Sequence, residues 1–408
     1  MLTLFVLASA LRAISPVRDA ATLGAIPEAR LTLPASYVAM APISDVLDTL
    51  TLLTVPQHVA LLITAIVVYI VWRVWRLRRR PATTGRVRRE AGRATLFLLC
   101  VVLVYAAAAM MPRPMAALAV DVPEVIVVDF HAHTLYSHDG RAGWTADDVR
   151  NWHRGAGFDA VYVTDHRSVQ GAQRGLDGNS PQAGEGTMLL PGIEVVWDGL
   201  HVNLLSAASR YQGLITPSLG DVDPEALRLA SMVPNAEPIV VATIPDDLSK
   251  MHPAAGPGTA GVRAVEVIDG SPRGLRQSRR DRAQIVRLAD SLDLALVAGS
   301  DNHGWGHTAP GWTGMQIPGW RGMDADSLAE AIELYLRRGR RRATRVIERV
   351  VADPGTSPTL LALTGPIVSW RMLTTLSADE RVAWVVWIWA IALVVRGSAR
   401  WSRRRAAA

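Results

Sequence analysis

One cysteine, Cys100, stands in a chain of 408 residues. No intrachain disulfide is available and no thiolate metal cluster can be built. Any bound metal must rest on His, Asp and Glu. Lysine is as scarce: Lys250 is the only one. It lies outside the strand-like runs, which excludes a carboxylated lysine as a metal ligand within them. Residues 1–15 lack a basic stretch before their apolar part, so an ordinary signal peptide is not expected. The central region lacks a sustained basic stripe, and a nucleic-acid partner is not expected there.

What is abundant is apolar. Half of the residues are hydrophobic, and the mean hydropathy is +0.18. Val59–Trp72 is a continuous apolar run, extendable to Val55 and Trp75, and Ala94–Met111 is a second run without charge. Each approaches the roughly 20 residues that cross a bilayer. A third run, 382–395, has only 14 residues but is bounded by Arg381 and Arg396, which can snorkel. It holds Trp384, Trp387 and Trp389, and aromatic residues of this kind suit a membrane interface.

The formal net charge is +6. Much of the basic charge sits in two arginine clusters, Arg73–Arg93 and Arg396–Arg405, each beside an apolar run. Such placement reads as a membrane topology signal. The expected organisation has four parts. Residues 1–54 form an N-terminal extracytoplasmic segment, which starts with a short signal anchor if residues 1–15 insert. Residues 55–111 form a transmembrane hairpin with a cytoplasmic loop at 73–93. Residues 112–352 form the central domain. Residues 353–408 hold a linker, a third span at 382–395 and a basic cytoplasmic tail. The central region then faces the extracytoplasmic side.

Within that region short apolar runs alternate with helix-like stretches. The runs are Val125–Phe130, Ala160–Thr164, Met188–Val196, Val202–Leu205, Pro238–Thr243, Val262–Ile268 and Leu294–Gly299. Their length and β-branched content suit buried parallel strands. Ala146–Ala156, Leu275–Leu292 and Asp324–Gly339 suit helices. Repeated strand–helix units imply a β/α barrel or an open α/β sheet.

Polar residues cluster at the ends of these runs. VIVVDF leads into His131 and His133, AVYVT into Asp165 and His166, LLPGI into Glu194, and LALVAGS into Asp301 and His303. Barrel and open-sheet enzymes carry their chemistry at strand ends. His131 and His133, spaced by two along a strand, point to one side. An ionised Glu194 ending an apolar run must be paired or bound to metal. Imidazoles and carboxylates together are the donor set for Zn²⁺, Mn²⁺ or Fe²⁺.

HAHTLYSHDG (131–140), VTDH (163–166), GIE (192–194), the histidine of LHVNLL and SDNHG (300–304), in this order, resemble the polymerase-and-histidinol-phosphatase (PHP) superfamily. The resemblance runs from about Val125 to Val350 and includes LYLRRGRRRAT (334–344), similar to the closing helix and strand of such domains. It implies an α/β fold, a distorted (β/α)7 barrel. It also implies two or three divalent ions and phosphoric ester hydrolysis by a metal-activated water. Under it His131 and His133 bind one ion, Glu194 bridges two, and Asp301 joins the first. His303 and His166 share a third with Asp139, a place for which His138 competes. His201 matches a histidine found near such sites. Asp165 or His166 would orient the water or protonate the leaving group.

One departure is clear. The family carries an AHP motif where this chain has Thr243, Ile244 and Pro245, so a histidine is missing. One ion is then weakly bound or absent, unless Asp246, Asp247 or His252 substitutes. His153 and His307 match no motif and read as surface or loop residues. Arg141, Arg167 and Arg273 are candidates to hold phosphate oxygens, with a solvated loop arginine as the simpler reading of each. Trp305, Trp312 and Trp320 wall the pocket or form a packing corner. The substrate is expected to be a phosphorylated molecule of unknown identity, and the lipid bilayer is the other partner. Two other readings stand beside this one: a non-catalytic metal- or ligand-binding sensor on the same scaffold, and an amidohydrolase-type C–N hydrolase.

Overall fold

The computed structural model describes residues 2–79, 85–197, 199–205, 220–223, 238–243, 261–353, 360 and 362–407. Asp246, Asp247 and His252 lie outside these residues. The chain divides into two compact units: 1–16, 33–114 and 350–408 form one, and 17–32 with 115–349 form the other.

The first unit is helical. Its N-terminal part holds α1 (Leu2–Ser9), α2 (Ala35–Ala39), α3 (Ala41–Thr51), α4 (Val55–Arg78) and α5 (Arg86–Met110). Thr54 and Gln57 form a capping box that starts α4. α4 and α5 are long and apolar enough to cross a membrane, and only 6% of each apolar window is buried. They form a hairpin. Tyr69 stacks on Phe97 with ring centroids 4.4 Å apart. Arg73 pairs with Glu90 through bonds of 2.8 and 2.6 Å, so the one acid in the arginine-rich hairpin neutralises one of its cations.

The second unit is built on a ten-stranded sheet. Its strands are β1 (Val17–Asp19), β4 (Val125–Ala132), β5 (Ala160–Val163), β6 (Met188–Trp197), β7 (Leu200–Leu205), β8 (Ile239–Ala242), β9 (Val262–Asp269), β10 (Ala295–Gly299), β11 (Gly311–Gln316) and β12 (Arg345–Arg349). The order is β1-β12-β11-β4-β5-β6-β7-β8-β9-β10. β2 (Ala29–Thr32) and β3 (Ala117–Val120) form a separate antiparallel pair. Four helices accompany the sheet: α6 (Ala146–Ala156), α7 (Gln170–Asp177), α8 (Pro272–Leu292) and α9 (Ala325–Gly339). Residues 17–32, read from sequence as part of the 1–54 segment, supply β1 and β2 instead.

The expected strand runs all become strands. The sheet is mixed, however, and not a uniform series of parallel units. β4, β5 and β6 are parallel, as are β8, β9 and β10. β7 is antiparallel to both β6 and β8, because only three residues separate it from Val196 in a hairpin. The sheet curls: the N–H of Asp301, just past β10, donates to the carbonyl of His131 on β4. Ile126, Val128 and Phe130 pack inward with Leu190, Val241 and Val297. Val127 and Ala132 pack outward with Val149, Trp152 and Ala156 of α6. Trp312 and Trp320 are buried. They are packing residues, and the indole of Trp312 donates to the Ala156 carbonyl. Trp305 is exposed.

Residues 350–408 return to the helical unit with α10 (Thr364–Thr375) and α11 (Ala378–Ala407). α11 contains the 382–395 run, with Val382, Trp389, Ile391 and Leu393 exposed. Trp384 donates its indole N–H to Asp45 over 2.8 Å. Tyr37 donates its hydroxyl to Asp48, which is paired with Arg113 at 2.9 Å. These buried contacts knit α2 and α3 to the end of the hairpin and to α11.

Candidate metal centre

The ligand-competent side chains come from strand ends that hydrogen-bond to one another. The His133 N–H donates to the Asn302 carbonyl, and Thr164 N–H to the Ala132 carbonyl. His166 and Glu194 form a parallel bridge. Asp301 and Arg167 adopt left-handed backbone conformations, φ 45° and 55°. Such conformations are uncommon outside glycine and gather at functional sites.

Four donor atoms converge. His131 Nε2 lies 2.9 Å from Glu194 Oε2 and 3.5 Å from Asp301 Oδ1. His133 Nε2 lies 3.4 and 3.2 Å from the same two oxygens. Four donors arranged tetrahedrally about 2.0–2.1 Å from an ion are about 3.3–3.4 Å apart. His131, His133, Glu194 and Asp301 therefore place donor atoms 2.9–3.5 Å from one another across the four His–carboxylate pairs, a spacing that a divalent ion accepts.

His133 supplies an independent test of that fit. It is fully buried, yet neither ring nitrogen makes a hydrogen bond. Burial pushes its ring down to about 4, so the ring is neutral and carries a lone pair. Buried polar atoms are almost always satisfied, and a cation in the cage would satisfy Nε2, the nitrogen that faces Glu194 and Asp301. Glu194 behaves as an anion. Burial would raise it, but the neighbouring His131, His201 and His133 hold it well below the ordinary carboxylate range.

A second group adjoins the first. Asp139 Oδ2 lies 3.2 Å from His303 Nε2 and 3.6 Å from His166 Nε2. Its other oxygen accepts from Ser137 at 2.6 Å. His166 Nε2 is also 3.4 Å from Glu194 Oε2, so Glu194 touches both groups. His138 is exposed, 3.9 Å from Asp139, and Asp139 is the acid that faces both histidines. A third group is thinner. His201 Nδ1 lies 2.8 Å from Glu194 Oε1. Beside it, where the AHP histidine is missing, Thr243 Oγ1 donates to the His201 carbonyl over 3.0 Å.

Other residues fall differently from expectation. Both oxygens of Asp165 are taken by Thr134, one by its N–H at 2.6 Å and one by its hydroxyl at 2.7 Å. Asp165 holds the loop after His133 and does not face the cage. His153 is fully buried on α6, not a surface or loop residue. Its position was readable: Val149, Trp152, His153 and Ala156 follow one helical face. Arg141 lies over the rings of Trp144 and Trp305, 5.0 and 5.7 Å from their centroids. Its N–H donates to the carbonyl of His303. Arg167 and Arg273 are exposed.

Glu266 and Asp269 of β9 went unnoticed in the sequence. Glu266 is fully buried, with Oε1 2.9 Å from His131 Nδ1. Burial pushes it up to about 7 despite the nearby His131. Asp269 is near enough to group with both. The signal was present, since a glutamate inside the apolar run VRAVEVI needs a partner as much as Glu194 does.

No family model matches the chain, and no curated protein matches it. Among solved structures it is similar to PsfC from Pseudomonas syringae, at 20% identity and a TM-score of 0.39, over 60% of this chain and 98% of that one. A two-domain Bacteroides vulgatus protein containing a predicted PHP-like metal-dependent phosphoesterase matches at 13% identity and TM-score 0.33, over 60% and 70%. A lesion-specific endonuclease from Pyrococcus furiosus matches at 13% and 0.33, over 51% and 56%.

Proposed function

We propose that the sheet unit is a PHP-type metal-dependent phosphoesterase, carried by a chain anchored in the membrane. The observation that supports it best is the cage of His131, His133, Glu194 and Asp301, with the Asp139, His166 and His303 group sharing Glu194. When bound, adjacent divalent ions supply Lewis acidity, lower the pKa of water and offset the negative phosphoryl oxygens. The protein's own part is to fix those ions and the ester. Arg141, held over Trp144 and Trp305 beside His303, is the best placed arginine for a phosphate oxygen. Thr134 occupies both oxygens of Asp165, which leaves that carboxylate no free oxygen for proton transfer, and His166 stands among the residues that would hold the ions.

The arginine-rich stretch between α4 and α5 supports a cytoplasmic loop, which turns the sheet unit to the extracytoplasmic side, with 382–395 as a third span. An alkaline-phosphatase fusion after Val350 tests this. An active reporter supports the orientation, and an inactive one overturns it. The substrate is then an extracytoplasmic phosphoester.

The chemical reading is tested with the purified full chain in detergent, loaded with Mn²⁺ or Zn²⁺ and offered a generic phosphomonoester and phosphodiester. Metal-dependent turnover, lost in His131→Ala and Asp301→Ala, is expected. A second reading, a sensor that binds metal without turnover, is favoured by one observation: Thr243 stands where a third donor would complete the His201 group. One bound ion with no hydrolysis of any ester would select it.

A further inference from the structure

The strand that carries the histidine pair holds another acid. Asp129 is fully buried, as is His153. Asp129 Oδ1 accepts the N–H of His131 at 3.1 Å and the N–H of Ser300 at 3.0 Å. Asp129 Oδ2 lies 2.8 Å from His153 Nε2, and His153 Nδ1 lies 2.7 Å from the Val149 carbonyl. A carboxylate oxygen and a carbonyl oxygen are both acceptors. With Asp129 ionised, both ring nitrogens of His153 donate when both contacts are hydrogen bonds.

The backbone explains why an acid sits there. The pairing of β4 with β5 shifts register between Asp129 and Ala132. In an unbroken strand Asp129 and His131 would share a face. Instead Asp129 meets α6, while His131 meets Glu194 and Glu266 on β6 and β9. A register shift leaves a backbone N–H without its ladder partner, and Asp129 Oδ1 accepts that of His131. By taking Ser300 N–H on the same oxygen, Asp129 joins the His131 backbone to the residue before Asp301. α6 is tied in twice, since Trp152 donates its indole N–H to the Gly306 carbonyl, three residues past His303.

We infer that Asp129 and His153 are a positioning pair: a doubly donating His153 anchors Asp129 to α6, and Asp129 sets the spacing between His131 and Asp301. The spacing part rests on the metal-centre reading. The hydrogen-bond part does not. A buried carboxylate needs such partners, because an unpaired charge there is costly.

Two measurements on the purified full chain test this. Ring ¹⁵N correlation spectra of histidine-labelled protein should show both nitrogens of His153 protonated, with the signal assigned by its loss in His153→Phe. Chelator competition with Co²⁺ should show that His153→Phe weakens binding on the order of 10–100-fold, as removal of outer partners of ligands does. It should also change the visible spectrum of the bound ion. His153→Gln, which keeps one donor for Asp129, should recover most of the affinity. If His153→Phe does not fold, Asp129→Asn takes its place, keeping an acceptor for the two N–H groups and weakening binding less. Wild-type affinity in the folded variant, or a singly protonated His153 ring, overturns the inference. A wild-type chain that binds no Co²⁺ would defeat the metal-centre reading and the spacing role with it, and the ring spectra would then decide the hydrogen-bonded pair alone.

Discussion

Glu266 Oε1 lies 2.9 Å from Nδ1 of His131, which leaves Nε2 of the same ring to face Glu194 and Asp301. A carboxylate on the outer nitrogen fixes the tautomer of a metal-binding histidine and raises its basicity. Glu266→Gln keeps the shape and loses the charge. Its affinity for Zn²⁺ is expected to fall about 10–100-fold, with the melting temperature of the metal-free chain little changed. Competition against a chelating dye measures it, and an unchanged affinity would remove Glu266 from the account.

Gly299 makes that contact possible. A Cβ there would lie 2.4 Å from Glu266 Oε1 and 2.6 Å from the His131 Cβ. His131 cannot yield without moving a ligand. Gly299→Ala should therefore lose metal affinity as well as stability, the latter by about 1–3 kcal/mol, the usual range for overpacking. Thermal denaturation with and without Zn²⁺ separates the two. A variant whose melting temperature still rises with Zn²⁺ as much as wild type's contradicts the prediction.

Much of this was legible in the sequence because strands and helices have simple periods. The strand runs, α6 and α9 were readable from apolar spacing, and the convergence of the candidate ligands from their places at strand ends. Other features were hidden. β11 was missed because Gly311, Thr313 and Gly314 interrupt its apolar pattern. The reversal of β7 was hidden because a buried antiparallel strand reads like a parallel one. The partners of Asp129, Glu266 and His153 were hidden, although the burial of the last two was readable, because no local motif marks a partner more than twenty positions away.

Asp159, at the entry to β5, offers a pH test away from the metal ligands. Burial pushes it up from 3.8 to about 6, and its bond with the Val127 N–H and the nearby Arg321 offset only part of that. The unfolded chain ionises it first, so between about 4 and 6 the folded protein holds more protons. Stability from this group falls as pH rises through that window, and the cost is complete above it. Asp159→Asn keeps an oxygen for Val127. It should melt higher than wild type above pH 6 and match it near pH 4. Parallel melting curves across this range would show that Asp159 ionises normally.

Thr243 occupies the place of a missing donor beside His201. Thr243→His should add a ligand to the His201 and Glu194 Oε1 group and raise the number of tightly bound ions by one. Elemental analysis after gel filtration reads this directly. An unchanged count would mean that the group does not form a site even when completed.

His131, His133, Glu194 and Asp301 are proposed to hold an ion used to hydrolyse phosphoesters. The most direct measurement is metal content and turnover on one preparation of the full chain, wild type beside Asp301→Ala. At least one bound divalent ion and metal-dependent phosphate release are expected in wild type. Both should fall in the variant, turnover by about 100-fold or more, given the several kcal/mol of charge stabilisation such an ion provides. A folded wild-type chain with no bound ion, or with hydrolysis unaffected by Asp301→Ala, would contradict it.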